Sequence, residues 1–297
     1  MENVKLYTHK KNESEIFIIN TSPISDNHFQ AEFKLILNHH FYSDFLASSN
    51  RINPLFLLEC ARQAETCLSH TEFGIALGSK FLLDNWSLTY FPSQPVGTKS
   101  LKADVYTKYP PTNKTNKNEF TIIFKLNGTI IGTVAIEVRY ITSQCYTLIR
   151  KTQGRCISIA AVLPLPPSCV CYTKPENSIL GDLNDIGPYV NAVININKKN
   201  KSFNDHEQDH ITGMNLTEAA KQICYSYLSI YMHEKIERFI LVDLNGNFFS
   251  YVEMYIPAMV VIKKIELLND IYSFDVDVTQ NKKTLATVNL KLRGEYE

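Results

Sequence analysis

One segment of this chain occurs twice. Residues 53–63, NPLFLLECARQ, and residues 212–222, TGMNLTEAAKQ, align at an offset of 212 − 53 = 159. Four of the eleven positions are identical: Leu57/Leu216, Glu59/Glu218, Ala61/Ala220 and Gln63/Gln222. Chance at average composition gives about one. Arg62 and Lys221 add a match in charge. Apolar residues recur at helical spacing in both stretches, which predicts a helix over 53–70 with Asn53 as N-cap and Pro54 in its first turn, and a second over 212–233 with Thr212 as N-cap. A repeat of this length constrains the chain to two similar halves.

The flanking pattern agrees. A strand-like run precedes each helix, at 31–37 and 191–197, and four follow it. In the first half these are Lys80 to Phe91, Lys99 to Tyr109, Glu119 to Leu126 and Thr129 to Ile141, with Asn127-Gly128 as a hairpin turn. In the second they are Asn247 to Ile256, Met259 to Leu268, Ile271 to Val278 and Thr284 to Arg293. The predicted fold class is α+β, each half a long helix wrapped by a curled antiparallel sheet. Residues 164–178, PLPPSCVCYTKPENS, contain four prolines and read as a linker, with or without an exposed crossing strand. The expected organisation is a first domain over 1–145, a linker over 146–179 and a second domain over 180–297.

Thirty Lys and Arg balance thirty Asp and Glu, so the chain lacks the cationic excess that binding to a phosphate backbone draws on. With 44% hydrophobic residues it can bury a core and is expected to be globular. No apolar run reaches the roughly 18 residues of a spanning helix, and the N-terminus does not read as a secretory signal, so a cytoplasmic protein is expected. The seven cysteines form no CxxC pair and read as reduced, mostly buried thiols. GxGxxG, GxxxxGK[ST], GxSxG and HExxH strings are absent, so no such motif supports a nucleotide-fold enzyme, a serine hydrolase or a zincin.

Glu59, Arg62 and Gln63 share one face of an otherwise apolar helix, and the set returns as Glu218, Lys221 and Gln222. Each trio begins about five residues into its helix, near the end whose amides attract developing negative charge. A thioester or ester carbonyl held there is polarised while a carboxylate handles a proton, which suits acyl chemistry. A histidine-rich turn precedes each helix: LNHHFYSD with His39 and His40, and FNDHEQDHITGM with His206 and His210. The two Asp-His pairs of the second turn also raise a metal site, but no third ligand is identifiable, and no metal is expected.

Longer strings carry a family resemblance. HITGMNLTEAAKQ resembles the helix entry of hotdog β-hydroxyacyl-carrier-protein dehydratases. THKKNESEIFIINTSPISDNHFQAEFKL, NPLFLLECARQAETCLSHTEFGIALGSKFLL and FNDHEQDHITGMNLTEAAKQ look like stretches of the AfsA-type A-factor biosynthesis family, γ-butyrolactone synthases built from two hotdog domains. The resemblance implies a tandem hotdog that moves a β-ketoacyl chain from an acyl-carrier-protein thioester to the hydroxyl of dihydroxyacetone phosphate, without a cofactor, as a monomer with an internal pseudo-dimer or as a homodimer. The family's Glu-x-x-Arg falls on Glu59 and Arg62, and on Glu218 and Lys221. Lys221 stands where the family has Arg and Thr212 where it has Pro, and either His39 or His40 takes the family's histidine position.

The expected roles follow. Glu59 or Glu218 orients or deprotonates the acceptor hydroxyl and His210 assists proton transfer. Helix-start amides near Leu55 and Met214, with Gly213, hold the carbonyl. Arg62 or Lys221 attracts the phosphate, and Gln63, Gln222 and His40 line the substrate. Replacing Glu218 by Ala is expected to abolish transfer and spare the fold. The competing readings are a dehydratase or thioesterase of the same fold, and a non-catalytic acyl or lactone binder that acts through a partner.

Overall fold

The computed structural model describes residues 4–48, 51–92, 100–111, 115–150, 162–186 and 189–295. The chain forms two units, one made of Met1–Ile36 and Pro54–Arg155, the other of Leu37–Asn53 and Cys156–Glu297. Residue 99 of one expected strand and residues 151–161 of the expected linker, with Cys156, lie outside the described residues.

In the first unit, a short helix α1 (Val4–Tyr7) leads through a 3-10 turn (Glu13–Glu15) into strands β1 (Ile18–Ser25) and β2 (His28–Lys34). The long helix α2 (Pro54–Thr71), strands β3 (Lys80–Tyr90), β4 (Ser100–Thr107), β5 (Lys117–Leu126) and β6 (Thr129–Ile141), and helix α3 (Ser143–Arg150) follow. The sheet is antiparallel in the order β1-β2-β4-β5-β6-β3. The predicted hairpin closes as Leu126 opposite Thr129, with Asn127 and Gly128 both at positive φ. Alternate residues of β5 are buried, and α2 lies against β1, β3, β5 and β6. The contact is close at Gly132, where an added Cβ would stand 2.8 Å from a Leu57 methyl.

The second unit repeats this plan. Strands β7 (Leu180–Ile186) and β8 (Tyr189–Ile194), a two-residue strand β9 (His210–Ile211) and helix α4 (Gly213–Ile230) come first. Strands β10 (Phe239–Phe248), β11 (Val252–Glu253), β12 (Ala258–Leu268), β13 (Ile271–Gln280) and β14 (Lys283–Gly294) follow. The large sheet runs β10-β14-β13-β12-β8-β7, again antiparallel, and α4 packs on β7, β8, β12, β13 and β14. Two-residue turns with both φ positive, Asn269-Asp270 and Asn281-Lys282, join its long strands.

Three sequence readings change. The strand expected over Asn247 to Ile256 is β10, eight residues earlier. Its chain turns at Phe249 and Ser250, whose amides both reach the Leu285 carbonyl, and only β11 pairs beyond them, with β9. Residues 37–53, assigned from sequence to the first domain, group with the second unit. Within that unit Phe41 stacks on Tyr172, the Leu46 amide bonds to the Cys171 carbonyl, and Asp44 accepts from the amide of Lys174 and the side chain of Asn177. Finally, the described part of the expected linker, residues 162–179, is not a free tether. It forms two 3-10 turns and buries Val170, Cys171, Tyr172, Asn177 and Ile179.

This segment reaches its place because Gly181 has no side chain. Pro164 bridges to Gly181, the Leu165 amide donates to the Leu180 carbonyl, and a Cβ on residue 181 would lie 2.3 Å from the Leu163 carbonyl oxygen. Gly181→Ala is expected to lift residues 162–165 off β7, at about 1–3 kcal/mol in chemical unfolding, with faster proteolytic cleavage there. Wild-type stability and cleavage would sink this account.

Candidate functional site

The first trio is a buried ion cluster inside its unit. Glu59 is only 2% exposed. Arg62 donates to it through Nε (2.9 Å) and Nη2 (2.8 Å), Lys10 Nζ approaches Oε1 at 3.1 Å, and Gln63 Nε2 donates to Oε1 at 2.7 Å. Burial pushes the carboxyl up, but Arg62, Lys10 and the hydrogen bonds outweigh it and lower its pKa to about 2. Gln63 then reaches the chain that enters β1: Oε1 accepts from the amides of Phe17 (2.8 Å) and Ile18 (3.3 Å), and Nε2 donates to the Glu15 carbonyl (2.7 Å).

The second trio repeats the pattern more tightly. Glu218 and Lys221 have side chains with no exposed surface, and Nζ stands 2.9 Å from Oε2. Tyr172 donates to Glu218 Oε1 at 2.9 Å and its oxygen accepts from Lys221 at 2.9 Å, while the ammonium sits 3.7 Å from the centre of the Phe45 ring. Burial lowers the Lys221 pKa, opposed by Glu218, and burial beside Glu218 drives the Tyr172 hydroxyl well above its ordinary value. Gln222 holds the Ile179 amide (2.9 Å), the Asn177 carbonyl (2.7 Å) and Glu218 (2.8 Å). The two glutamines, expected to line substrate, fasten each helix to the start of β1 or β7.

Lys10, Tyr172 and Phe45 escape the sequence reading. They belong to the N-terminal approach, the proline-rich segment and the histidine turn, where no periodicity marks an inward-facing residue. The histidines divide into two kinds. His39 is buried, and its Nδ1 accepts from the amides of Phe41 and Tyr42 (3.3 Å each), a task of turn structure. His40 shares a hydrogen bond with Ser202 (3.2 Å), and His206 contacts Asp205 and Gln208. His210 is different. It stands three residues before α4, with Nδ1 2.7 Å from Asp209 Oδ1 and its ring edge-on to Tyr251, an arrangement that assigns the proton to Nδ1 and leaves Nε2 the basic nitrogen. Among the described residues the two Asp-His pairs gather no third metal ligand.

The helix starts also differ. At α4 the Thr212 hydroxyl accepts from the Asn215 amide and the Thr212 carbonyl from the Leu216 amide, so Gly213 and Met214 carry the first-turn donors that the cap leaves over. At α2 the first residue is Pro54, which has no N–H. In the second unit, therefore, an Asp-oriented imidazole stands three residues ahead of a helix whose first two residues keep their N–H groups.

Further along α2, Glu65 bonds to Ser69 (3.0 Å) and Thr66 (3.1 Å), and Ser69 pairs with Tyr140 (2.8 Å). Burial raises the Glu65 pKa to about 7, against those hydrogen bonds and Arg62. Between its ordinary 4.5 and about 7 the folded chain keeps a proton that the unfolded chain releases, so Glu65 subtracts stability as pH rises through that window. Glu59 acts oppositely: its contribution is present above 4.5 and is lost as pH falls towards about 2. Glu65→Gln is expected to flatten the decline between pH 4.5 and 7, worth about 3 kcal/mol, in urea unfolding followed against pH. Gln222→Leu orphans a buried amide and a carbonyl and is expected to cost about 2–4 kcal/mol in the same experiment; a loss below about 1 kcal/mol would remove its structural role.

With this geometry in hand, the relatives are informative. The A-factor biosynthesis hotdog domain matches residues 5–142 and 160–294. The chain is 21% identical over 262 residues to a 2-oxo-3-(phosphooxy)propyl 3-oxoalkanoate synthase of Streptomyces virginiae, covering 85% of this chain and 84% of that protein. Among solved structures it resembles a protein described as an oleoyl thioesterase of Lactobacillus plantarum (TM-score 0.58, 10% identity, 92% of this chain and 97% of that one). It is also similar to a dehydratase domain of the curacin polyketide synthase (TM-score 0.54, 11% identity, 98% and 97%). Both likenesses concern the fold, which is a tandem hotdog. Matched in both halves, the chain belongs to the A-factor biosynthesis hotdog family.

Proposed function

We propose that this protein esterifies the hydroxyl of dihydroxyacetone phosphate with a β-ketoacyl chain delivered as a thioester on acyl-carrier protein, in the cytoplasm. The name of the Streptomyces relative carries the reading: its product joins a phosphorylated three-carbon keto alcohol to a 3-oxoalkanoic acid, and this chain matches it over 85% of its length. The acyl chemistry is assigned to the second unit. A thioester carbonyl set against the amides of Gly213 and Met214 is polarised where charge develops. The acceptor hydroxyl gives its proton to Nε2 of His210 as its oxygen bonds to the carbonyl carbon. The C–S bond then breaks, and the imidazolium returns the proton to the departing thiol.

The acidic residues take quieter parts. Glu59, with a pKa near 2, orients partners and does not accept protons at neutral pH. Glu218 and Lys221 support the α4 helix from within. Of the two cations expected to attract phosphate, Arg62 keeps 26% of its side chain exposed and Lys221 none, which favours Arg62. The sealing also revises the Glu218→Ala expectation, because removing one member of a fully buried pair strands the other at about 3–5 kcal/mol. The paired change Glu218→Gln with Lys221→Met keeps the set neutral and is the better probe of function.

Incubation with a β-ketoacyl thioester of carrier protein and dihydroxyacetone phosphate, read by mass spectrometry, is expected to give the phosphorylated ester. Free β-keto acid in its place would overturn the transferase reading in favour of a thioesterase, and release of water from a β-hydroxyacyl thioester to give the enoyl chain, with no ester formed from the β-ketoacyl one, would favour a dehydratase. His210→Ala is expected to lower kcat by about 100-fold with the melting temperature close to wild type.

A further inference from the structure

The short strand that carries His210 is fastened by a residue far along the chain. β9 pairs with β11, His210 opposite Glu253 and Ile211 opposite Val252, and directly opposite residues of an antiparallel pair project from the same face. Tyr251, at the head of β11, turns its ring to the imidazole, with centroids 4.8 Å apart and planes crossing at 66°. β11 lies outside the large sheet: β10 ends at Phe248, the amides of Phe249 and Ser250 turn to the Leu285 carbonyl, and the chain rejoins the sheet at Ala258. A ladder of two residues has little stability of its own.

Gln280 supplies the fastening. Buried positions alternate along β13, and Gln280 is the last of them, 5% exposed. Its Oε1 accepts from the Glu253 amide (3.0 Å), and its Nε2 donates to the carbonyls of Glu253 (3.0 Å) and Ile256 (2.8 Å). The side-chain amide thus offers Glu253 the donor and the acceptor that a neighbouring strand would offer, and ties both ends of the Glu253–Ile256 turn to the large sheet. The hairpin that follows asks for no amide at this place: Leu126, also buried, ends β5 ahead of the equivalent turn of the first unit. What the amide serves is β11.

We propose that Gln280 is a positioning residue for His210: by fixing β11 it keeps β9 in register and the Tyr251 ring against the imidazole, so that Nε2 holds one orientation ahead of α4. Asp209 sets the tautomer from the neighbouring position, and Gln280 fixes that stretch of chain against the sheet. Proton transfer weakens steeply when the base is misplaced, so Gln280 acts on the reaction without touching substrate. The clamp stands on this geometry; its bearing on acyl transfer rests on the function proposed above, in which His210 moves the proton.

NMR of the full chain with labelled histidine, the His210 signals assigned by their loss in His210→Ala, reads the orientation without substrate. The wild-type ring is expected to show ring-current shifts from Tyr251, and both Gln280→Leu and Tyr251→Leu to move them to the values of an exposed histidine. Val278→Ala, which removes core packing from the same face of β13, is expected to lower the melting temperature and leave the His210 shifts in place. Hydrogen exchange in the wild-type chain needs no variant: the Glu253 amide is expected to be protected, and exchange at the rate of an open loop would overturn the clamp. In the ester-forming assay Gln280→Leu is expected to lower kcat about tenfold with KM for the acceptor unchanged. Added to His210→Ala, the same change is expected to lower kcat no further. Unmoved His210 shifts in Gln280→Leu, equal movement in Val278→Ala, or an additive loss of kcat in the double variant would each refute the positioning role. Ester formation with unmoved His210 shifts would remove the clamp and spare the transferase, and displaced shifts in a chain that forms no ester would do the reverse.

Discussion

A buried glutamine amide joins helix to sheet in each unit, and the architecture depends on it. The strand that opens each sheet must be brought against the middle of a helix whose own backbone groups are already paired. Gln63 and Gln222 solve this by offering an acceptor to the arriving amides and a donor to the preceding carbonyl, so the entering chain meets a short stretch of artificial strand. Their remaining N–H goes to Glu59 or Glu218, which fixes the rotamer of the glutamine and brings a charge into the core. Once the carboxylate is there a cation must follow, since an isolated buried charge costs far more than the pair. Glu, cation and Gln are therefore one physical unit, and their common spacing in both halves has a structural cause before any catalytic one.

The halves then diverge through the group that fills the last position around the carboxylate. A tyrosine hydroxyl in the second unit adds no charge, permits complete burial, and lets the Phe45 ring close over Lys221. A lysine in the first adds a charge that cannot be fully buried, and that cluster stays open. Arginine and lysine divide the same way: the planar Arg62 makes a bidentate contact and still presents an edge, while the compact Lys221 ammonium fits a closed cage.

Much of this was legible in the sequence, in places that can be named. Both long helices and the β5–β6 hairpin were readable because their periodicity and turn chemistry are local. The family and the tandem hotdog were readable from long strings. β10 was not assigned, although the repeat pointed to it: Lys80 + 159 is Phe239, the first residues of β3 and β10. The apolar run FILV, Phe239 to Val242, follows the helix closely and lacks the alternation that marks a strand, whereas Asn247 to Ile256 carries the β-branched and aromatic residues of one. Membership of residues 37–53 in the second unit rests on contacts such as Phe41 with Tyr172 and Asp44 with Asn177, more than 130 residues apart, for which no spacing rule exists. The proline-rich segment misled for a related reason: prolines report a lost donor and a fixed φ, and 3-10 turns that bury Tyr172 satisfy both as well as a tether does.

The same electrostatics that explain the clusters bear on the proton transfer proposed above. A carboxyl with a pKa of about 2 is some five units too acidic to serve as a base near pH 7, and at about 1.4 kcal/mol per unit that deficit is about 7 kcal/mol, more than general base catalysis usually returns. Glu59 is held in that state by two cations and a glutamine, so its acidity follows from that cluster and cannot be relaxed without loosening the fold. His210, oriented by the adjacent Asp209 carboxylate, stands in the loop ahead of the other helix and outside any such ion cluster. Glu59 is thus an anchor within the first unit, and the acyl transfer proposed above asks its proton transfer of His210 in the second.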